Sequence, residues 1–305
     1  MTTYHTPVLL HESIEGLNVK PGGVYVDVTF GGGGHSQEIL NRLKTGKLVA
    51  FDQDPDAEKN KIDHPGFIFC NGNFKFLRNF LKYEGITRID GLLADLGVSS
   101  HHFDTVERGF TFQGDSPLDM RMNPLANLTA SEILNQYTED HLRHIFRDYG
   151  EVENANRLAS MIVSKRDSKA FSTSSQFIEA IKPCIPRGVE NKYMAKVYQA
   201  LRIEVNRELE SLKSMLSQCV DLMPEGGRLV VITYHSLEDR IVKNFVKTGN
   251  FEGKMVKDFY GNPIAPFRAV NNKVITPNED ELKENSRSRS AKLRIAEKIG
   301  LDRLM

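Results

Sequence analysis

The chain has 305 residues, long for a single hydrophobic core and suited to a large α/β domain carrying an insertion. Its 40 Lys and Arg balance its 40 Asp and Glu, which excludes a global basic field; any contact with nucleic acid must be local. Apolar residues at 40% and charged residues at 26% are the balance of a globular protein that can bury a sizeable core.

No stretch approaches the roughly 20 apolar residues of a membrane helix. The opening MTTYHTPVLLHESIEGL has neither the basic start nor the apolar run of an export signal, so a soluble, cytoplasmic protein is expected. Cys70, Cys184 and Cys219 are odd in number and form no CxxC, which predicts reduced thiols, with neither a disulfide framework nor a metal site.

In chain order, Val24–Thr29 reads as a strand, followed by a glycine run and a helix near Ser36–Leu43. Leu48–Asp52, Gly66–Cys70 and Ile89–Leu96 read as further strands. This alternation predicts a mostly parallel sheet with helices on both faces. From about Asn127 to Arg187 only helix signals are found. Thr129-Ala-Ser-Glu132 has the form of a capping box, Thr138 can cap the next helix, and Pro183 and Pro186 end a helix over Gln176–Ile181. A long helix is predicted over Lys192–Met223, with Met194, Val197, Leu201, Val205, Leu209, Leu212, Leu216 and Val220 on one face. Arg228–Tyr234 reads as a buried strand, and a helix starts after His235 with Ser236 as N-cap. Asn250–Asn285 has no clear pattern, and Ser290–Glu297 fits either a final edge strand or a helix. The expected domains are 1–110 and 191–305, two parts of one α/β domain, with a helical insertion at 111–190.

The sharpest local feature is Val26-Asp-Val-Thr-Phe-Gly31-Gly-Gly-Gly34-His35, a strand running through four glycines into a helix start. Glycine lets the backbone approach a ligand closely, and helix-start N–H groups favour negative charge. Asp52 ends the next strand about 20 residues beyond Gly31, where a carboxylate accepts hydrogen bonds from ribose hydroxyls. A P-loop needs Gly-Lys-Ser/Thr, and His35-Ser36 is not that. A dinucleotide site prefers a third glycine where Ser36 stands. S-adenosylmethionine, which needs a glycine turn and a ribose acid but no diphosphate cradle, fits better than a nicotinamide cofactor; a turn without a ligand is the bland alternative. Phe74 after the third strand can stack on an adenine or simply fill the core. Asp95 stands at the carboxyl end of the fourth strand, where open α/β sheets bind ligands, although a strand-end Asp is often only a loop cap.

These segments, with His5-Thr-Pro-Val-Leu-Leu10, Asp95-Leu-Gly-Val-Ser-Ser100, Glu107-Arg-Gly-Phe110, Pro117-Leu-Asp-Met-Arg-Met122, Arg202-Ile-Glu-Val-Asn206, His235-Ser-Leu-Glu-Asp-Arg240 and Arg287-Ser-Arg-Ser290, span nearly the whole chain in order. The ordered set closely resembles the MraW family of small-subunit ribosomal RNA methyltransferases. The resemblance implies a class I S-adenosylmethionine-dependent methyltransferase (Rossmann-like) sheet interrupted by an all-helical domain. It implies N4-methylation of a cytidine, cytidine 1402, in the decoding centre of bacterial 16S rRNA. It also implies cofactor contacts at Gly33, Gly34, His35, Asp52, Phe74 and Asp95. His102 stands where the resemblance leads us to expect a Gln contact, and Tyr234 where it leads us to expect Phe.

Transfer from a sulfonium demands alignment more than a nucleophilic side chain. The cytosine amine is a poor nucleophile and needs an acceptor for its proton. Asp95 and Asp119 are the candidates; His235 and Ser236 are candidates to orient the base, with a structural His and a helix cap as the alternative. Arg121 can hold a phosphate or pair with Asp119. Arg287, Arg289, Lys292 and Arg294 form the one compact basic run, and neutral net charge favours the assembled small subunit over naked RNA. Pro183-Cys184 matches the nucleophile dipeptide of cytosine C5 methyltransferases, but its place in the helical stretch favours a buried structural thiol. Besides the nicotinamide oxidoreductase, a non-catalytic RNA-binding module is the remaining rival; the sequence leaves the oligomeric state open.

Overall fold

The computed structural model describes residues 7–261, 264–271 and 273–300. His5 and Thr6 of the first motif lie outside them. The chain forms α1 (Leu10–Leu17), β1 (Val24–Asp27), α2 (Gly34–Arg42), β2 (Lys47–Asp52), β3 (Phe67–Asn71), α3 (Leu77–Tyr83) and β4 (Gly91–Asp95). The helices α4 (Ser100–Asp104), α5 (Ala130–Gln136), α6 (Glu139–Asp148), α7 (Ala155–Arg166), α8 (Ser174–Ile181) and α9 (Glu190–Asn206) follow. The chain closes with α10 (Glu208–Leu222), β5 (Arg228–Thr233), α11 (Ser236–Thr248), β6 (Phe267–Ala269), α12 (Glu279–Glu284) and β7 (Lys292–Lys298).

The seven strands form one sheet in the order β3-β2-β1-β4-β5-β7-β6. Neighbours from β3 to β5 are parallel, and β7 runs antiparallel to both β5 and β6. This mostly parallel, Rossmann-like sheet with one antiparallel strand between β5 and β6 is the sheet that the sequence leads us to expect. The undecided Ser290–Glu297 segment is therefore a strand from Lys292 on, but not an edge: β6, which periodicity misses in so short a run, flanks it.

The strand period of two sorts the sheet's side chains between two cores. Val26, Val49, Leu92, Leu229 and Val231 pack with Leu77, Leu212, Leu216 and Phe245 on one face. Tyr25, Leu48, Leu93, Val230 and Ile232 pack with Ile14, Leu17, Ile39 and Leu40 on the other. Burial on both faces explains why these strands read as continuous apolar runs.

The chain divides into two compact units, the sheet with residues up to Gly97 and from Leu209, and a helical unit over Val98–Glu208. These boundaries differ from the expected 110/111 and 190/191. Phe110, Tyr193, Met194, Val197 and Leu201 all belong to the helical unit's own core, so α9 goes with it. The predicted long helix over Lys192–Met223 is two helices, separated at Arg207, whose φ of 49° is left-handed. Inside the unit Thr129 forms the predicted capping box with Glu132, and the Thr138 side chain accepts the N–H of His141. Pro183 lies in a 3-10 turn directly after α8.

Candidate active site

β1 ends at Asp27 and the chain passes through the glycines into α2. Gly33 has φ 79°, and a Cβ there would meet the Phe30 ring at 3.0 Å. A Cβ on Gly34 would lie 2.2 Å from Pro7 Cγ, so the first motif's proline packs directly on this turn. No side chain caps α2. Its start is therefore glycine backbone, the arrangement that suits a carboxylate ligand.

Asp52, at the end of β2, fixes the turn: its Oδ2 accepts the Gly31 N–H at 2.8 Å and its Oδ1 that of Asp54 at 2.9 Å. Asn60 Nδ2 donates to the Gly31 carbonyl at 2.9 Å. Asp52 is partly exposed at the end of β2. Phe74 opens a short 3-10 turn after β3 and is partly buried against the sheet core. Asn73 caps that turn and donates from Nδ2 to Gln53 Oε1 at 2.9 Å.

Between the strand ends lies a connected set of acids. Asp27 is buried; its Oδ2 accepts from Ser36 Oγ at 2.7 Å and its Oδ1 from the Thr29 N–H at 3.0 Å. Burial outweighs these donors and pushes its carboxyl up to about 6. Thr29 Oγ1 in turn accepts the Asp95 N–H at 2.7 Å. Asp95, the last residue of β4, accepts the Tyr234 hydroxyl on Oδ1 at 2.7 Å. Its Oδ2 is 4.0 Å from His35 Nδ1. Burial, then the negative charges of Asp27, Glu238 and Glu281, push the Asp95 carboxyl up to about 7 against the phenol's hydrogen bond. Its side chain keeps 22% exposure, enough to be reached.

His35 is buried, with Nε2 at 3.1 Å from the Val8 carbonyl. A carbonyl only accepts, so Nε2 carries the proton and the Nδ1 lone pair faces Asp95. Burial lowers its pKa to about 4, and the ring is neutral at pH 7. His35 is thus a fixed wall of the site and not a cation.

His235, not Ser236, is the N-cap residue of α11, and its side chain makes no capping bond; Ser236 is the first helical residue. Glu238 is buried, accepts the Tyr234 N–H on Oε2 at 3.0 Å, and lies 3.2 Å from His235 Nε2 through Oε1. Asp239 binds Arg294 through both oxygens, at 2.7 and 3.2 Å, with Lys292 at 3.8 Å. Arg294 and Lys292 of the basic run are therefore tied to α11, and Arg287 and Arg289 are exposed residues.

The remaining candidates belong to the helical unit. Asp119 takes the Arg121 guanidinium on both oxygens, at 2.8 and 2.7 Å. Burial opposes its ionisation, yet the Arg121 bonds hold its carboxyl below the usual range. The pairing alternative for Arg121 is the one observed. Three family motifs meet around this segment. Arg108 donates to the Arg121 and Met122 carbonyls at 3.0 and 2.9 Å, while Asn206 accepts the Met122 N–H at 2.7 Å and donates to the Met120 carbonyl at 2.8 Å. His102 is buried, 2.7 Å from Ser99 Oγ through Nδ1, with its ring 4.8 Å from that of Phe110. Cys184 is buried in the helical core and its thiol is pushed up by that burial, the opposite of an activated nucleophile.

The profile of the MraW methylase family matches residues 2–299. This chain belongs to the MraW methylase family. The ribosomal RNA small subunit methyltransferase H of Bacteroides fragilis (strain YCH46) is 59% identical over 298 residues, 97% of this chain and 98% of that protein. The protein of the same name from Flavobacterium johnsoniae is 52% identical over 303 residues, 98% of this chain and 100% of that one. The motifs that carry the family resemblance divide in two. The glycine turn, Asp52 and Asp95 converge at the sheet's strand ends, whereas Arg108, Gly109, Asn206 and the Asp119–Arg121 pair build one loop of the helical unit. Sequence reasoning did not single out Asp27 as a site residue; its signal was a carboxylate at the end of an apolar strand with Thr and Ser hydroxyls following.

Proposed function

We propose that this protein transfers the methyl group of S-adenosylmethionine to N4 of a cytidine, cytidine 1402 by family resemblance, in the 16S rRNA of the bacterial small subunit. The observation that carries the reading is Asp95, a reachable strand-end carboxyl whose charged neighbours are all acidic. That unbalanced negative field suits a cationic donor, and the glycine start of α2 suits its carboxylate. Gly33, Gly34 and His35 would line the amino-acid end, Asp52 the ribose, and Phe74 the adenine edge.

When bound, S-adenosylmethionine supplies an electrophilic methyl on a sulfonium. The cytosine amine that would take this methyl must lose a proton. Asp95 Oδ2 accepts that proton, because Oδ1 is engaged by Tyr234. Asp119 is a weaker candidate for this role, since Arg121 occupies both its oxygens and holds it as a weak base. Neutral His35 walls the site, and His235 and Ser236 at the start of α11 would meet the base. Because the target nucleotide must be unstacked to enter such a site, the assembled subunit, where the local RNA structure is set, is the proposed substrate.

The test is the pH dependence of kcat/KM. Asp95 must be ionised to act, so the rate of the native protein should fall as pH drops below about 7. Asp95→Asn should lower kcat by about 100-fold or more. An Asp95→Asn protein that binds cofactor and keeps native turnover would remove Asp95 as the acceptor.

A further inference from the structure

Tyr234 has no role in the reading so far beyond its bond to Asp95. Gly97, two residues beyond Asp95, has φ 107°, and a Cβ there would lie 3.1 Å from the Tyr234 ring, so the glycine makes room for the ring beside β4. The Tyr234 N–H is held by Glu238 Oε2 at 3.0 Å, which fixes the residue at the end of β5. From that anchor its hydroxyl reaches Asp95 Oδ1 at 2.7 Å. On the other side Thr29, itself bonded to Asp27, holds the Asp95 N–H. Asp95 is thus fixed from β1 and β5 at once. Among the described residues no hydrogen bond reaches its Oδ2, and His35 Nδ1 lies 4.0 Å from it.

We infer that Tyr234 is a positioning residue for methyl transfer: its hydroxyl pins Asp95 Oδ1 and leaves Oδ2 as the single oxygen presented to the acceptor amine. This rests on the reading of Asp95 as proton acceptor. A phenylalanine, which the family resemblance leads us to expect at 234, would fill the same space beside Gly97 without the hydroxyl. The groups facing Asp95 are Asp27 from β1, His35 from α2, Tyr234 from β5's end, Glu238 from α11 and Glu281 from α12. His35 is neutral at pH 7 and the three carboxyls oppose ionisation, so the phenol is the one group there that favours the charged form.

Tyr234→Phe removes one oxygen and keeps the ring. It should lower kcat about tenfold, the effect of one hydrogen bond to a charged group, while KM for S-adenosylmethionine stays within about twofold. Losing a bond that favours the carboxylate raises the Asp95 pKa, so the acidic limb of the kcat profile should move to higher pH. A purely packing role would leave that limb where it is. Asp95→Asn is assayed alongside, with circular dichroism and thermal melting as the check that both variants are folded. Native kcat and an unmoved limb in Tyr234→Phe, with Asp95→Asn inactive, would overturn the positioning role alone. Native turnover by Asp95→Asn would overturn the acceptor reading beneath it.

Discussion

At the residue scale, the chemistry of the site follows from two carboxyls largely withdrawn from water, Asp27 and Asp95, with no cation paired to either among the described residues. Asp27 and Asp95 are pushed up to about 6 and about 7. A cation arriving beside Asp95 favours its ionised form. Binding of S-adenosylmethionine at pH 7 should therefore release protons to the buffer. Calorimetry in buffers of different ionisation enthalpy measures this directly. Release should be smaller with S-adenosylhomocysteine, whose sulfur is neutral, and equal release by the two ligands would disconnect Asp95 from the sulfonium. These roles were only partly legible in the sequence. Asp52 and Asp95 were visible as strand-end acids. The Tyr234–Asp95 bond was not, because it joins residues 139 apart and depends on the β4–β5 register.

At the scale of elements, strands β1 to β5 were legible because burial on both faces leaves long apolar runs. The tail strand was left undecided: Lys292 to Ile295 alternate as a strand does, but the adjacent apolar pair Ile295-Ala296 breaks the period. The break at Arg207 was hidden for a related reason: Val205 and Leu209 keep helical spacing across it, and only the backbone angle of 49° separates α9 from α10. The Glu107-Arg-Gly-Phe110 motif gains a physical meaning here. A Cβ on Gly109, with φ 73°, would lie 2.2 Å from the Pro117 carbonyl oxygen and 2.9 Å from the Asp119 nitrogen, so the motif is pressed against the loop that carries Asp119. Gly109→Ala should cost at least ~2 kcal/mol, from left-handed strain plus a backbone clash. Gly114→Ala, with φ 83° and open space around it, should cost only about 1 kcal/mol. Urea midpoints of the two variants compare them, and equal losses would mean that the 107–122 contact yields freely.

At the scale of the whole molecule, the expected sheet with a helical insertion is what the chain forms, with the insertion wider than its sequence texture suggested. No described helix is long and apolar enough to cross a membrane. The neutral net charge remains the guide to substrate. Arg294 and Lys292 pair with Asp239, so the basic run offers fewer cations to a phosphate backbone than its sequence implied. On the proposed function, recognition would rest on the shape of a folded target more than on general attraction to RNA, and assembled subunits should be methylated faster than naked 16S rRNA.

Incubation of the purified protein with S-adenosylmethionine and unmethylated small subunits, followed by digestion and mass spectrometry of the nucleosides, tests substrate, donor and acceptor atom together. N4-methylcytidine from the decoding centre, formed faster on subunits than on naked RNA, is the expected product. A methyl group on cytosine C5, or no methylated nucleoside from either RNA while the protein still binds the cofactor, would contradict it.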